Sequence, residues 1–365
     1  MGAASSVQDY ASRLNAVEMA ALMAESEDKV RNYLHENGIN DDDEIAKIMS
    51  YFSVSHKNSA FLFIKPHANN EAVQALVNKT LADNNLSIVS EGEIQAEVID
   101  SQQLIDNHYY SIASKATLLQ PKDLPIPVDK FEAFFGESFE SALANESVFN
   151  ALDACKYLEV EGTDLESIWR RAQNKTIKFG GGFYCAKIDD VEGKKPIYIL
   201  NGFFMSMRST FVIPGTSIHY YVVEWDPIAS GINWAKFRDE IIGATDPSKS
   251  IDSSIRGIIY KDWESLNLTE QPGGSKNGVH GSASPFEGLA EKCNWLGVDP
   301  ADDPFGAGLI QGGWSGGDAA IPKPLLLTWF KDPQISTDDY TGSAFDFFEN
   351  ADVDDCYIKA NLIKK

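Results

Sequence analysis

The run Ala60-Phe61-Leu62-Phe63-Ile64 is apolar at every position and is closed by Lys65 and Pro66. Successive side chains of a strand point to opposite faces, so a run with no polar position needs cover on both. It therefore reads as a buried central strand with Lys65 at its end. Val73, Leu76, Val77 and Leu81 share one face of the helix that follows. Residues 86–94 then alternate in part, as a strand, and another helix from Ser101 ends in His108-Tyr109-Tyr110. Strand-helix-strand-helix at these lengths starts a split βαβ unit. Residues 217–225, rich in β-branched and aromatic side chains, supply a further strand. A helix at 234–242 follows, with Gly243 placed to cap it. The expected fold class is α/β (α+β): a ferredoxin-like βαββαβ core with an antiparallel sheet, plus a helical extension and an inserted subdomain.

The chain has room for more than this core. Its 365 residues are 43% apolar and carry a net charge of -23. That charge argues against a nucleic-acid or anionic-membrane surface, so any polyphosphate site must be built from a few local cations. Residues 1–58 read as a helical N-terminal extension, with apolar groups at Leu14, Val17, Ala21 and Leu22 and at Val30, Tyr33 and Leu34. Residues 59–298 form the core, interrupted by an insertion at 115–200, and 299–365 form a C-terminal extension. In the insertion, Pro121, Pro125 and Pro127 mark a linker, helices are expected at 131–135, 139–152 and 165–172, and a hairpin joins 183–188 to 196–200. Gly180-Gly181-Gly182 is a turn, since no Lys-Ser or Lys-Thr follows to make a phosphate loop. The C-terminal extension reads as acidic and irregular, glycine-rich at 306–317, with short helices at 321–330 and 345–362. Asp352, Asp354 and Asp355 read as a solvated acidic face, because their spacing lacks the glycine and glutamate of a calcium loop.

Cys155, Cys185, Cys293 and Cys356 are spread without a C-x-x-C pair, which fits buried thiols in a reduced compartment. No run is long and apolar enough to span a bilayer, and no secretory signal is present. The expected location is cytoplasmic. Met1-Gly2-Ala3-Ala4-Ser5-Ser6 fits the N-myristoylation pattern, and one acyl chain at Gly2 would give only weak membrane contact.

The chemistry concentrates in Asn277-Gly278-Val279-His280-Gly281-Ser282-Ala283-Ser284-Pro285-Phe286-Glu287. Ser284 is placed as N-cap, Pro285 suits the first helical turn and Glu287 completes a capping box. Phe286, Leu289, Ala290, Cys293 and Leu296 then mark one apolar helix face, with Glu291 among them. Glycines let backbone and ligand approach His280 closely, and the helix N-terminus favours anions. A second stretch, Gly243-Ala244-Thr245-Asp246-Pro247 followed by Ser254-Ile255-Arg256-Gly257, offers a hydroxyl and a planar guanidinium at a spacing suited to a diphosphate.

These stretches, with the Ile-Lys-Pro strand end and His108-Tyr109, resemble the signatures of the nucleoside diphosphate kinase family, in the family's order. The resemblance covers 60–110 and 203–296. It implies that His280 is the nucleophile, phosphorylated on one ring nitrogen, with Glu291 bonding the other directly or through Ser282. It implies that Lys65 and Tyr109 neutralise the transferring phosphoryl, that Arg256 and Thr245 hold the phosphate behind it, and that Asn277 contacts the sugar. Phe203 would stack on the base. Magnesium would ride on the phosphates of ATP or another nucleoside triphosphate, with no protein ligand, and the partners would be nucleoside di- and triphosphates. A homo-oligomer stays open as an expectation, but the family's hexamer or tetramer does not transfer, because the insertion falls where family members meet.

Two positions depart from the pattern. Asp239 stands where the family has an arginine, leaving the adjacent Arg238, about 100° round a helix, as the candidate substitute. Ala283 replaces an aspartate. These departures motivate the rival expectation, a catalytically weak or inactive nucleotide-binding scaffold at a cilium, flagellum or cytoskeletal assembly.

Overall fold

The computed structural model describes residues 26–52, 56–274, 276–312 and 320–364. The apolar group at Leu14, Val17, Ala21 and Leu22, the Gly2 modification and part of the glycine-rich stretch at 306–317 lie outside them. The chain is a mixed α/β protein, with three small, mostly antiparallel sheets among the described residues. Among the described residues, helices α1 (Glu27–Glu36) and α2 (Asp42–Phe52) come first and share a cluster of Val30, Leu34, Ile39, Ile45 and Ile48. No helix among the described residues is long and apolar enough to cross a membrane.

Strand β1 (Asn58–Ile64) is buried at every position. After it come α3 (Glu71–Asp83), β2 (Ser87–Gln95), α4 (Ala96–Ser101) and α5 (Leu104–His108). With β7 (Ser217–Trp225) and β8 (Val279–Gly281), the main sheet has the order β2-β7-β1-β8 and is antiparallel throughout. The pleat sorts the side chains of β1. Ala60, Leu62 and Ile64 enter one core with Val73 and Val77 of α3. Phe61 and Phe63 enter another with Ile99, Leu104, Ile105 and Trp295. Each buried phenylalanine contributes roughly 1.5–3 kcal/mol.

The intervening segment builds a second sheet, in the order β3-β6-β5-β4. Its elements are β3 (Val148–Asn150), α6 (Ala151–Leu158), α7 (Gly162–Arg171), β4 (Thr176–Gly180), β5 (Phe183–Ile188), β6 (Ile197–Leu200) and α8 (Phe204–Ser209). The hairpin of β5 and β6 forms in the expected place. The expected helix at 139–152 does not run through: it ends at Ala144, and 148–150 pairs in parallel with β6 instead. Glu146 at φ +50 breaks the helix, and Asn150 starts a new one by accepting from the Asp153 N–H. Strand β4 had no expectation, and the triple glycine is the turn that returns it to β5. The cluster around this sheet takes in Ala113, Phe204 and Met205, on both sides of 115–200. A buried clasp closes it: Arg208 donates to Asp106 at 2.9 Å and 3.0 Å and to Asp100 at 2.6 Å.

Strand β7 (Ser217–Trp225) returns to the main sheet. A helix then starts at Trp234, widens to a π-helical turn over Phe237–Ile242 and stops at Gly243, φ +96, a conformation that favours glycine. Helix α9 (Ile255–Lys261), strand β8 (Val279–Gly281) and helix α10 (Pro285–Leu296) complete the core.

The C-terminal extension is more ordered than its composition suggests. It supplies α11 (Pro304–Gln311), α12 (Lys323–Trp329), the strand pair β9 (Gln334–Ser336) and β10 (Thr341–Ser343), α13 (Ala344–Phe348) and α14 (Val353–Leu362). Phe286 and Leu289 of α10 share a core with Phe305, Leu309, Trp329, Phe348 and Tyr357. The solvated acidic face is corrected for two of its three residues. Asp352 accepts from Asn58 Nδ2 and Trp234 N, both at 2.7 Å, and Asp354 meets His56 Nδ1 at 2.5 Å. Asp355 alone is exposed.

Candidate functional site

Strand β8 pairs His280 with Phe63 of β1. Their rings stack, with centroids 4.7 Å apart and planes 25° from parallel. The chain then turns into α10, where the Ser284 hydroxyl accepts from Glu287 N at 3.1 Å, as the capping motif requires. Helix α10 presses on β1: a Cβ on Gly288 would stand 2.7 Å from the Ser59 carbonyl oxygen. This closeness brings Glu291, two turns into the helix, to the imidazole. His280 Nε2 lies 2.6 Å from Glu291 Oε1, and the Ser282 hydroxyl lies 2.5 Å from Oε2. The direct contact expected between histidine and glutamate is present, and Ser282 braces the glutamate. Ser282 is itself fixed, accepting from Phe61 N at 2.9 Å, while its carbonyl receives the Trp234 indole N–H at 3.0 Å.

Lys65 is buried beside this array, its backbone N–H bonded to Gly278 O at 2.9 Å. Arg256 donates through Nε and Nη2 to Val279 O, at 3.2 and 2.9 Å, and through Nη1 to Gly243 O at 2.9 Å. A guanidinium carries five N–H groups, so two remain for a ligand. Asn277 donates from Nδ2 to the carbonyl of the exposed Thr245 at 3.0 Å. It is 2% exposed, and its Oδ1 has no partner among the described residues.

Charge here is shaped chiefly by burial. Burial, with Arg256 close by, lowers Lys65 to about 7. Burial and then Arg238 lower Arg256 to about 10. Burial, then Lys65, Arg256 and Arg238, hold His280 well below the usual histidine range. Burial pushes Glu291 up to about 8, and burial together with Glu291 lifts Glu287 well above the carboxyl range. Tyr109 is pushed up to about 12 by burial and then by Glu291, so it stays a neutral hydroxyl.

Two expected members are placed otherwise. Phe203 does not join His280: it packs edge-on against Trp169 and Tyr184, at 6.0 and 5.7 Å, beside a cavity of the second sheet's unit. The cause is α8, whose packing on α7 draws the preceding residue with it. Arg238 is held by the C-terminal extension, donating to Asn350 Oδ1 at 2.6 Å and pairing with Glu349 at 2.8 Å. Asn350 N in turn bonds Ala283 O in the histidine loop, at 2.9 Å.

Sequence reasoning assigned no role to His108. Its ring meets that of His280 edge to face at 4.6 Å, and its Nδ1 lies 3.4 Å from Glu291 Oε1. Asn294 holds α5 in place by donating to Leu104 O at 2.8 Å. The only sequence signal was His108's place beside Tyr109. A cavity of about 660 Å³ opens onto His108, Tyr109, His280 and Glu291, with Phe330 and Lys331 of the C-terminal extension opposite.

No protein-family model matches this chain, and no curated protein matches it.

Proposed function

We propose that the chain is a nucleoside diphosphate kinase, passing the γ-phosphoryl group of a nucleoside triphosphate to a diphosphate through phospho-His280. The observation that carries this reading is the His280–Glu291 contact at 2.6 Å, braced by Ser282 and set beside buried Lys65 and Arg256. We read the antiparallel order β2-β7-β1-β8 as the ferredoxin-like βαββαβ arrangement, with the second sheet inserted before β7.

With Nε2–H donated to Glu291, the lone pair of His280 lies on Nδ1. Nδ1 attacks the γ-phosphorus, the bond to the bridging oxygen breaks, and its electrons leave on the nucleoside diphosphate. A second diphosphate reverses the step. Glu291 balances the charge that grows on the imidazole, while Lys65 and the Tyr109 hydroxyl face the equatorial oxygens and Arg256 and Thr245 the phosphate behind. The open Asn277 Oδ1 suits a sugar hydroxyl. Magnesium enters on the nucleotide's phosphates, as part of the substrate. Four unpaired cysteines fit a reduced, cytoplasmic setting.

One observation favours the rival reading of a nucleotide-binding scaffold: Phe203 and Arg238 are both engaged elsewhere. Purified protein incubated with γ-labelled ATP separates the two. Acid-labile label on His280, abolished in His280→Ala, is expected of the kinase. Nucleotide binding without label would leave only the scaffold.

A further inference from the structure

We infer that His108, His280 and Glu291 form a binding site for a zinc-class metal ion, and that metal there and phosphoryl capture at His280 exclude each other. The exclusion rests on the proposed kinase reading; the metal site does not.

The Trp295 indole N–H donates to His108 Nδ1 at 3.2 Å, so this nitrogen carries a lone pair and no hydrogen. The same lone-pair nitrogen stands 3.4 Å from Glu291 Oε1, another acceptor. When Glu291 is ionised, two electron-rich atoms therefore face each other in a buried place, and burial makes such an encounter costly. A cation between them removes the cost.

The spacing suits one. Two ligands at about 2.05 Å from a tetrahedral zinc stand about 3.3 Å apart, close to the 3.4 Å observed. The donor atoms of His108, His280 and Glu291 all lie within 4.8 Å of one another. Two imidazoles and one carboxylate select zinc and its neighbours over magnesium or calcium, which prefer all-oxygen shells. Three protein ligands leave a fourth position, and the cavity bordering all three residues can supply water to it.

Metal at this place changes the tautomer of His280. Coordination through Nε2 takes the lone pair of that nitrogen, so the ring proton moves to Nδ1. Nδ1 then has no lone pair for phosphorus. The 2.6 Å hydrogen bond between Nε2 and Glu291 also gives way as the two donors spread around the ion. The Trp295 indole loses its acceptor at the same moment, which makes its fluorescence a local reporter.

Zinc titrated into the full chain tests this by bound stoichiometry and Trp295 emission. One zinc per chain is expected, weakened at least tenfold in His108→Ala and in Glu291→Gln, with melting curves showing that both remain folded. Nitrogen spectra of histidine-labelled wild-type protein serve if a variant does not fold: His280 Nε2 should shift and Nδ1 should gain a proton. Zinc uptake that neither variant weakens, or an unmoved Nε2 signal, overturns the site. Zinc should also slow labelling of His280 at least tenfold, reversibly with chelator. Rapid labelling of zinc-loaded protein overturns the exclusion. Absence of labelling even after chelation overturns the kinase reading and the exclusion with it, while the metal site stands or falls on the zinc measurements.

Discussion

Three buried asparagines, two in the second sheet's unit and one beside the histidine, show how differently the two regions treat a polar group. Asn201 donates to Ile112 O and Gly182 O and accepts from Tyr184 N. Asn150 donates to Leu119 O and accepts from Asp153 N. Both use donor and acceptor to fix backbone. Asn277, equally buried, uses only its donor and leaves Oδ1 open. A buried polar atom without a partner costs about 1–3 kcal/mol, so a fold keeps one where something else will meet it. The second sheet's asparagines serve architecture, and we read the open Oδ1 of Asn277 as the acceptor a ligand would meet.

The sharpest way to break that comparison is to remove the side chains. Asn201→Ala should cost about 2–4 kcal/mol, since it strands two carbonyls and an N–H in the interior. Asn277→Ala should cost about 1 kcal/mol or less, because one bond to Thr245 O is all it loses, yet weaken nucleotide binding about tenfold. Chemical denaturation and ADP titration of both variants measure this, and equal losses of stability would end the distinction. A second test uses charge. Protonated Glu291 would donate to Nε2 and leave the proton on Nδ1, so the reactive form needs the carboxylate. Its pKa of about 8 then sets the sign: single-turnover labelling at saturating nucleotide should rise about tenfold per pH unit and level above about 8. Glu291→Gln should be slow and flat over the same range. The smallest effect concerns Lys65, lowered to about 7. At pH 8 the free protein holds it largely neutral, and a bound phosphate restores its charge. Nucleotide binding should therefore take up a fraction of a proton, seen as a buffer-dependent binding enthalpy and absent in Lys65→Met.

What sequence could reveal divides along the range of the forces involved. The β1 run, the capped start of α10 and the spacing of His280 to Glu291 are local patterns, and all three were legible. The break at 139–152 was hidden because Glu146 in a left-handed conformation carries little sequence signal. The position of Phe203 follows from α8 packing on α7, a contact between elements that no periodicity encodes. His108 gains its meaning only when α5 lies against α10. In the C-terminal extension glycine content masked α11, although Asp303 and Pro304 supply a regular helix start, the aspartate accepting from Phe305 N and Gly306 N.

Helix α10 is a party wall. One side leans on β1 through Gly288 and delivers Glu291 to the histidine, while the other, through Phe286 and Leu289, is the inner lining of the C-terminal extension. The two halves of the chain are thus not modules that recombination could shuffle. A partner lineage that discarded the extension would strip the wall's far side and slacken the histidine's near side at once. The second sheet's unit, by contrast, is built around clusters of its own and meets the core at the Arg208 clasp.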